Sequence, residues 1–126
     1  EFYLTLRLFM NSKERDLFRL QHILECINKI ITLTKTMKDF ETFENHWVEQ
    51  DAMIRNFEII GEASNHISHE TKDKYPDVKW HQMRGMRNFM SHEYFGVRLL
   101  TIWDTAIDDI PILRTRVTDI ITELQK

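Results

Sequence analysis

The sequence predicts an all-α protein, an antiparallel bundle of four or five helices. Apolar residues recur at steps of three and four along most of the chain, as on the buried side of amphipathic helices. Only three glycines and two prolines occur among 126 residues, which leaves little material for the turns of an all-β fold. The sequence also lacks an alternating strand pattern, an internal repeat and a glycine-rich phosphate loop.

Five helices follow from this spacing, with a short helical turn before the second. The first has Ser12 as its predicted N-cap and carries apolar residues from Leu17 to Leu33. A polar break follows at residues 35–40, after which Asp39 or Thr42 is the candidate cap. The remaining helices are expected from Trp47 to about His69, Trp80 to about Ser91, Arg98 to Ile107, and Ile112 to Leu124.

The second helix carries a predicted inward row and one unusual glycine. Gly61 lies in mid-helix, where glycine costs roughly 1 kcal/mol relative to alanine. Next to the small Ala63, it predicts that another backbone passes close by. The charged stretch ETKDKYPD at 70–77 is expected to be non-helical, and Pro76 within it is expected to stop the helix. The inward row is predicted as Val48, Met53 or Ala52, Ile54, Phe57, Ile60, Ala63 and Ile67.

Length and composition limit the possible classes of protein. Residues 10–126 form one predicted domain, and residues 1–9, which precede Met10, are interpreted as a non-native or atypical extension. A net charge of −3 means that nucleic-acid binding requires a local basic patch. The single Cys26 excludes an internal disulfide and indicates a reducing compartment, the cytoplasm, with Cys26 itself in the core. No apolar run reaches the ~18 residues of a membrane span.

The segment RNFMSHEYFGV at residues 87–97 combines groups suited to phosphodiester chemistry. His92 can act as base or acid near neutral pH, and Arg87 can hold phosphate oxygens bidentately. Ser91 shares a helix face with Arg87, but His92 follows Arg87 by five residues, about 140° around an ideal helix. Either the helix ends near Ser91 or Arg87 reaches across. Lysines and arginines outnumber acids here: Lys72, Lys74, Lys79, Arg84, Arg87 and Arg98 against Asp73, Asp77 and Glu93.

By itself the arginine–histidine pair is more typical of a solvated helix end than of a catalytic site. RNA supplies its own nucleophile, the 2′-hydroxyl group, so a cleaving protein has to move protons and stabilise charge on the phosphate. In-line cleavage benefits from a base and an acid on opposite sides of the phosphate. Two copies of the motif facing each other across a two-fold axis would supply both.

A wider likeness to known proteins depends on four blocks of this sequence, which are FEIIGEASNHIS, YPDVKW, MRGMRNFMSHEYFGV and TIWDTAIDDIPIL. In this order and approximate spacing they resemble the HepT-like toxins, a branch of the HEPN superfamily also known as DUF86. The likeness runs from about Met10 to Lys126.

This resemblance implies a dimeric helical bundle with the motif arginine, four residues, histidine, any residue, tyrosine. The motif falls on Arg87, His92 and Tyr94, with Asn88 as the polar residue after the arginine. It implies a metal-independent endoribonuclease toxin in which Arg87 and His92 are catalytic. It also implies a minimal nucleotidyltransferase (MNT) antitoxin that transfers AMP from ATP to Tyr94, where added negative charge repels RNA. The alternative is a non-catalytic helical binding partner of that transferase.

Other residues receive weaker interpretations. Glu62 is expected either to orient Arg87 or to close a contact between helices. His66 and His69 could share a metal with His81 or His92, but the spacing of a standard site is missing and no metal or other cofactor is predicted. Trp80 and Trp103 are expected in the core, and the stripe of Met83, Met86 and Met90 in the core or a dimer interface. Tyr75 and Phe95 are weak candidates for stacking on an RNA base. Arg98 departs from the family pattern, because relatives often carry an acidic residue at this position.

Overall fold

The computed structural model describes the backbone of residues 10–92 and 99–126 and the side chains of residues 10–87 and 99–126. The predictions for residues 1–9, Tyr94, Phe95 and Arg98 lie outside the described residues, as do those for the side chains of Asn88, Met90, Ser91 and His92. The described residues form the helices α1 (Ser12–Met37), α2 (Phe40–Glu44), α3 (Trp47–Asn65), α4 (His69–Lys74), α5 (Trp80–His92), α6 (Leu99–Asp108) and α7 (Ile110–Leu124).

The all-α prediction is confirmed, and the five predicted helices correspond to α1, α3, α5, α6 and α7. The five-residue helix α2 corresponds to the short helical turn predicted before the second helix, and the six-residue α4 is the one additional helix among the described residues. Helix α1 packs against α3 and α7, α3 packs against α5, and α6 contacts α1 and α7. No helix in the described part of the chain has both the length and the apolarity needed to cross a membrane.

The core forms where the apolar rows of α1 and α3 meet. Their rows have the predicted steps of three and four, and burial of each large side chain contributes about 1.5–3 kcal/mol. Cys26 is 1% exposed, Trp80 8% and Trp103 6%, so all three belong to the core as predicted. The fully buried residues of the two rows are Leu20, Ile23, Ile27, Ile30, Met53, Phe57 and Ile60.

Two predictions about individual residues are wrong, each for a local reason. Asn11, not Ser12, is the N-cap of α1, because its side-chain oxygen accepts a hydrogen bond from the Glu14 backbone N–H at 2.8 Å. Val48 was predicted to face inward but is 54% exposed. It precedes Met53, where the buried row begins, by five residues, which is about 140° around the helix axis.

The segment expected to be non-helical contains α4, and the reason lies in a distant carboxylate. Asp16 of α1 is 2% exposed. It accepts hydrogen bonds from the Ser68 N–H at 2.9 Å, the Ser68 hydroxyl at 2.5 Å and the Thr71 hydroxyl at 2.5 Å. These donors lie at the start of α4, where backbone N–H groups lack helical partners. The contact ends α3 at Asn65, earlier than the predicted His69, and starts a new helix at His69.

Gly61 has the role that the sequence predicted. A Cβ atom placed on Gly61 would lie 2.7 Å from the backbone nitrogen of Arg87 and 3.0 Å from the carbonyl oxygen of Met83. Both atoms belong to the backbone of α5. Because glycine has no side chain, α5 can pack directly on α3 at this point. The close approach brings residue 62 of α3 next to residue 87 of α5.

Candidate functional site

The candidate site is centred on α5, whose Arg87 lies on the side of the helix that faces α3. Helix α5 extends to His92, one residue past Ser91, in agreement with the predicted end near Ser91, and it includes both motif positions. Positions 87 and 92 are therefore separated by about 140° around the axis of one continuous helix. The backbone of a single copy does not direct the two positions toward a common point.

Arg87 is held by a carboxylate from the neighbouring helix. Its Nη1 atom lies 2.7 Å from Oε2 of Glu62, and the two side chains are 56% and 46% exposed. An ion pair with this exposure contributes only about 0.2–1 kcal/mol to stability. The pair therefore favours one direction of the guanidinium, toward α3, and adds little to the stability of the fold. The contact with Arg87 agrees with the expectation that Glu62 orients this arginine or closes a helix–helix contact.

Glu62 also contacts a histidine. Its Oε1 atom lies 3.3 Å from Nε2 of His66, one turn further along α3. The carboxylate thus has a separate partner on each oxygen, Arg87 on one side and His66 on the other. This arrangement limits rotation of the Glu62 side chain and, through it, the movement of Arg87.

A groove lined by basic side chains opens beside Arg87. Three of its residues were not predicted from the sequence as part of a functional site. Its volume is about 620 Å³, and it is enclosed by α1, α3 and α5. Arg19 and His22 are three residues apart on α1, and Arg55 lies on the facing part of α3. Their spacing matched the polar face of an ordinary helix, so nothing in the sequence distinguished them. The described lining is Phe18, Arg19, His22, Arg55, Glu58, Ile59, Glu62, Ala63 and Arg87.

Positive charge also accumulates next to α5 on the side of α4. Burial lowers the pKa of Lys72, and the nearby charge of Arg84 lowers the pKa further, while Asp16 opposes the shift. The Arg84 guanidinium donates a hydrogen bond to Nδ1 of His81 at 3.2 Å. The predicted excess of cations around α5 is therefore present in the described side chains.

The remaining candidate residues have other surroundings. His69 is exposed on α4, and no cluster of three or more His, Cys, Asp or Glu side chains suited to a metal ion occurs in the described part of the chain. Tyr75 is half-buried, with Nζ of Lys74 5.7 Å from its ring centre and its hydroxyl enclosed. Tyr75 thus offers a base little accessible ring surface.

An exposed arginine beside a groove with further basic side chains is chemically suited to an anionic ligand such as a phosphate ester. Comparison with known families makes this specific: the family described as "Ribonuclease HepT-like" matches residues 23–120. The chain belongs to this family. The matched range includes Arg87, His92 and Tyr94.

Relatives of similar length support the assignment. The chain is 39% identical over 98 residues to "Putative RNase MJ1380" of Methanocaldococcus jannaschii, covering 78% of this chain and 89% of the relative. It is 39% identical over 107 residues to "Putative RNase MJ0125" of the same organism, covering 85% and 91%. It is 40% identical over 95 residues to "Probable ribonuclease HepT" of Thermococcus cleftensis, covering 75% and 86%. No solved structure matches the chain.

Proposed function

We propose that this protein is a metal-independent endoribonuclease and the toxin of a HEPN–MNT toxin–antitoxin pair in the cytoplasm. The observation that carries the proposal is the setting of Arg87, the arginine of the family motif. It is more than half exposed, yet it is anchored by Glu62 and lines a groove that contains two more arginines. An arginine in this setting is accessible to a phosphate and already oriented to bind it.

In the proposed reaction the 2′-hydroxyl of RNA attacks the adjacent phosphorus. An imidazole, His92, takes the hydroxyl proton while the new O2′–P bond forms. Arg87 stabilises the negative charge that builds on the non-bridging phosphate oxygens. The P–O5′ bond then breaks, and the departing oxygen takes a proton from a second acid. The products are a 2′,3′-cyclic phosphate and a free 5′-hydroxyl, and none of these steps needs a metal ion.

We further propose that the active site is composite, formed by two copies of the chain in a homodimer. The support is the continuity of α5 through both motif positions, which directs residues 87 and 92 about 140° apart within one copy. A two-fold axis lets the arginine of one copy act with the histidine of the other. It also supplies the second imidazole that serves as the acid. Asn88 and Ser91 lie on the same helix and are assigned supporting roles, as is Glu62.

Control of the toxin is proposed to act through Tyr94. This residue follows His92 by two positions, so a group attached to its hydroxyl remains near the catalytic pair. Transfer of AMP from ATP by a minimal nucleotidyltransferase forms a phosphodiester on the tyrosine oxygen and releases pyrophosphate. The added negative charge and bulk would repel the RNA backbone.

A cleavage assay on structured RNA in the presence of EDTA tests the nuclease. We expect cleavage by the unmodified protein, and losses of about 10²–10⁴-fold for His92→Ala and about 10²–10³-fold for Arg87→Ala. His69→Ala, which changes an exposed histidine of α4, is the matched control and should retain full activity. Equal cleavage by the His92→Ala variant would remove His92 from the mechanism.

A mixed dimer tests whether the site is composite. Neither Arg87→Ala nor His92→Ala is active alone on this proposal. A heterodimer of the two variants retains one intact arginine–histidine pair if the pair is contributed by different copies, and none if it lies within one copy. We therefore expect co-expressed heterodimers to be more active than either homodimeric variant, but to have less than half of the unmodified activity because the second imidazole that serves as the acid is missing. Absence of recovery in heterodimers of confirmed composition would contradict the composite site.

The second candidate function is a non-catalytic helical partner of the transferase, and the same material distinguishes it. Mass spectrometry after incubation with the transferase and ATP should find AMP on Tyr94 and none on a Tyr94→Phe variant. Modification of Tyr94 without RNA cleavage by any preparation would favour the binding partner. Modification confined to another residue would contradict the proposed control through Tyr94.

A further inference from the structure

The groove between α1, α3 and α5 extends beyond the residues of the motif. Arg87 and Glu62 occupy one part of its wall, whereas Arg19 and His22 come from α1 and Arg55 from α3. We propose that this groove, referred to below as the arginine groove, binds the RNA strand next to the scissile phosphate. Arg19 and Arg55 would contact backbone phosphates there. This inference rests on the proposed ribonuclease function and assigns binding residues outside its motif.

The first argument is that these two arginines have no carboxylate partner among the described residues. Neither Arg19 nor Arg55 forms an ion pair with any residue in the described parts of the chain, whereas Arg87 pairs with Glu62 and Arg116 pairs with Asp77. Each unpaired guanidinium keeps five N–H donors available for an anion. Arginine is also the side chain best suited to bidentate binding of phosphate.

The second argument is local charge. The chain as a whole carries a net charge of −3, so it has no general attraction for RNA. The arginine groove reverses this sign, since three arginines and one histidine line it against two glutamates. One of these glutamates, Glu62, already has Arg87 and His66 as partners. The groove is therefore a place where a polyanion gains favourable contacts.

The third argument is shape and lining. A volume of about 620 Å³ is within the range of roughly 300–1,000 Å³ typical of ligand sites. Part of the wall is apolar, with Phe18 41% exposed and Ile59 half-buried. Positive side chains that follow the backbone, combined with apolar or aromatic surface for the bases, are the usual elements of single-strand binding. The contacts would go to phosphates, so the groove would favour RNA without selecting a base sequence.

The experiment measures binding of a 2′-O-methyl oligoribonucleotide, which cannot be cleaved because its nucleophile is blocked. Dissociation constants are determined over a range of salt concentrations for the unmodified protein and for the double variant Arg19→Gln/Arg55→Gln. The control is Arg114→Gln, which changes an exposed arginine of α7 that lies outside the groove and has no ion-pair partner among the described residues. Sedimentation analysis and thermal unfolding establish that all three proteins keep the same oligomeric state and stability.

We expect the double variant to bind the oligoribonucleotide at least about tenfold more weakly at low salt. The slope of the logarithm of the binding constant against the logarithm of the salt concentration should decrease in magnitude by about 1.4, since each of two single-strand phosphate contacts contributes about 0.7. Arg114→Gln should match the unmodified protein. In cleavage of unmodified RNA, the double variant should show a raised KM with kcat retained. A structural role of the two arginines would not produce this combination.

The outcomes separate this inference from the proposed function. An unchanged salt slope and affinity in the double variant overturn the arginine groove, even if His92→Ala abolishes cleavage and the nuclease stands. An Arg19- and Arg55-dependent slope without cleavage by any preparation supports the groove and rejects the nuclease. A change of oligomeric state in the double variant with unchanged RNA affinity would identify the groove as a protein–protein surface and overturn the inference.

Discussion

Replacing Gly61 by alanine should destabilise the protein, although alanine is the better helix former. The new Cβ would lie 2.7 Å from the Arg87 backbone nitrogen and 3.0 Å from the Met83 carbonyl oxygen. Both are backbone atoms of α5, so no side-chain rotation relieves the contact. Helix α5 has to move away from α3 by about 0.7 Å to bring the shorter distance to the 3.4 Å at which ordinary contact begins.

Two opposing effects set the magnitude of the change. Overpacking at a tight contact typically costs about 1–3 kcal/mol. The gain in helix propensity from glycine to alanine offsets up to about 1 kcal/mol of this cost. Because the contacted atoms belong to the backbone, the overpacking cost is expected in the upper part of its range, about 2–3 kcal/mol, which leaves a net loss of about 1–2 kcal/mol in the free energy of unfolding. For a chain of this size that corresponds to a fall in Tm of about 4–8 °C.

Urea unfolding followed by far-UV circular dichroism measures the loss, at one fixed protein concentration because dimerisation would make stability concentration-dependent. The matched control is Gly85→Ala on α5, where a Cβ atom meets nothing within 4 Å. It should stabilise the protein by up to about 1 kcal/mol through helix propensity alone. A Gly61→Ala protein that is as stable as the unmodified protein, or more stable, would refute the close approach of α3 and α5.

Three further predictions concern other contacts. Asp16→Ala should lower the free energy of unfolding by about 2–4 kcal/mol, because the half-buried Ser68 donors and the buried Thr71 hydroxyl lose their charged acceptor. Urea unfolding measures this change, and a loss below about 0.5 kcal/mol would contradict the network. The hydrogen bond from Arg116 lowers the pKa of Asp77, so the ion pair should persist above the usual aspartate pKa and be lost as the pH falls through the lowered value. An NMR titration should show that the pKa of Asp77 rises in Arg116→Gln. An unchanged pKa would be evidence against the pair. Burial raises the pKa of the Cys26 thiol, so alkylation of Cys26 should be slow in the native protein and fast in urea. Equal rates of alkylation under the two conditions would mean that the thiol is accessible in the native protein.

Much of the fold was predictable because its cause is local. Apolar spacing identified all five longer helices. Of the two candidate caps Asp39 and Thr42, Asp39 is the cap of α2, where it accepts from the Thr42 N–H at 2.8 Å. The pattern failed where a distant group decides. Helix α4 depends on Asp16, which is 52 residues from Ser68 in sequence, and no local periodicity reports that contact.

The candidate site likewise contains residues that local sequence predicts and residues that only the packing of helices brings together. The motif residues Arg87, His92 and Tyr94 were predicted from the sequence because they are close together in it and occur with the blocks of the family. Arg19, His22 and Arg55 were not, since each has the composition of an ordinary solvated helix face. They become one groove only when α1 and α3 pack side by side.

By itself, the sequence determined that this chain is helical, which residues its core contains and where its candidate chemistry lies, since these depend on residue type and helical periodicity. Only the tertiary structure decided that Glu62 holds Arg87 and that a basic groove opens beside it. The physical reason is that both features arise from the distance between helices, and the absence of a side chain at Gly61 sets that distance between α3 and α5.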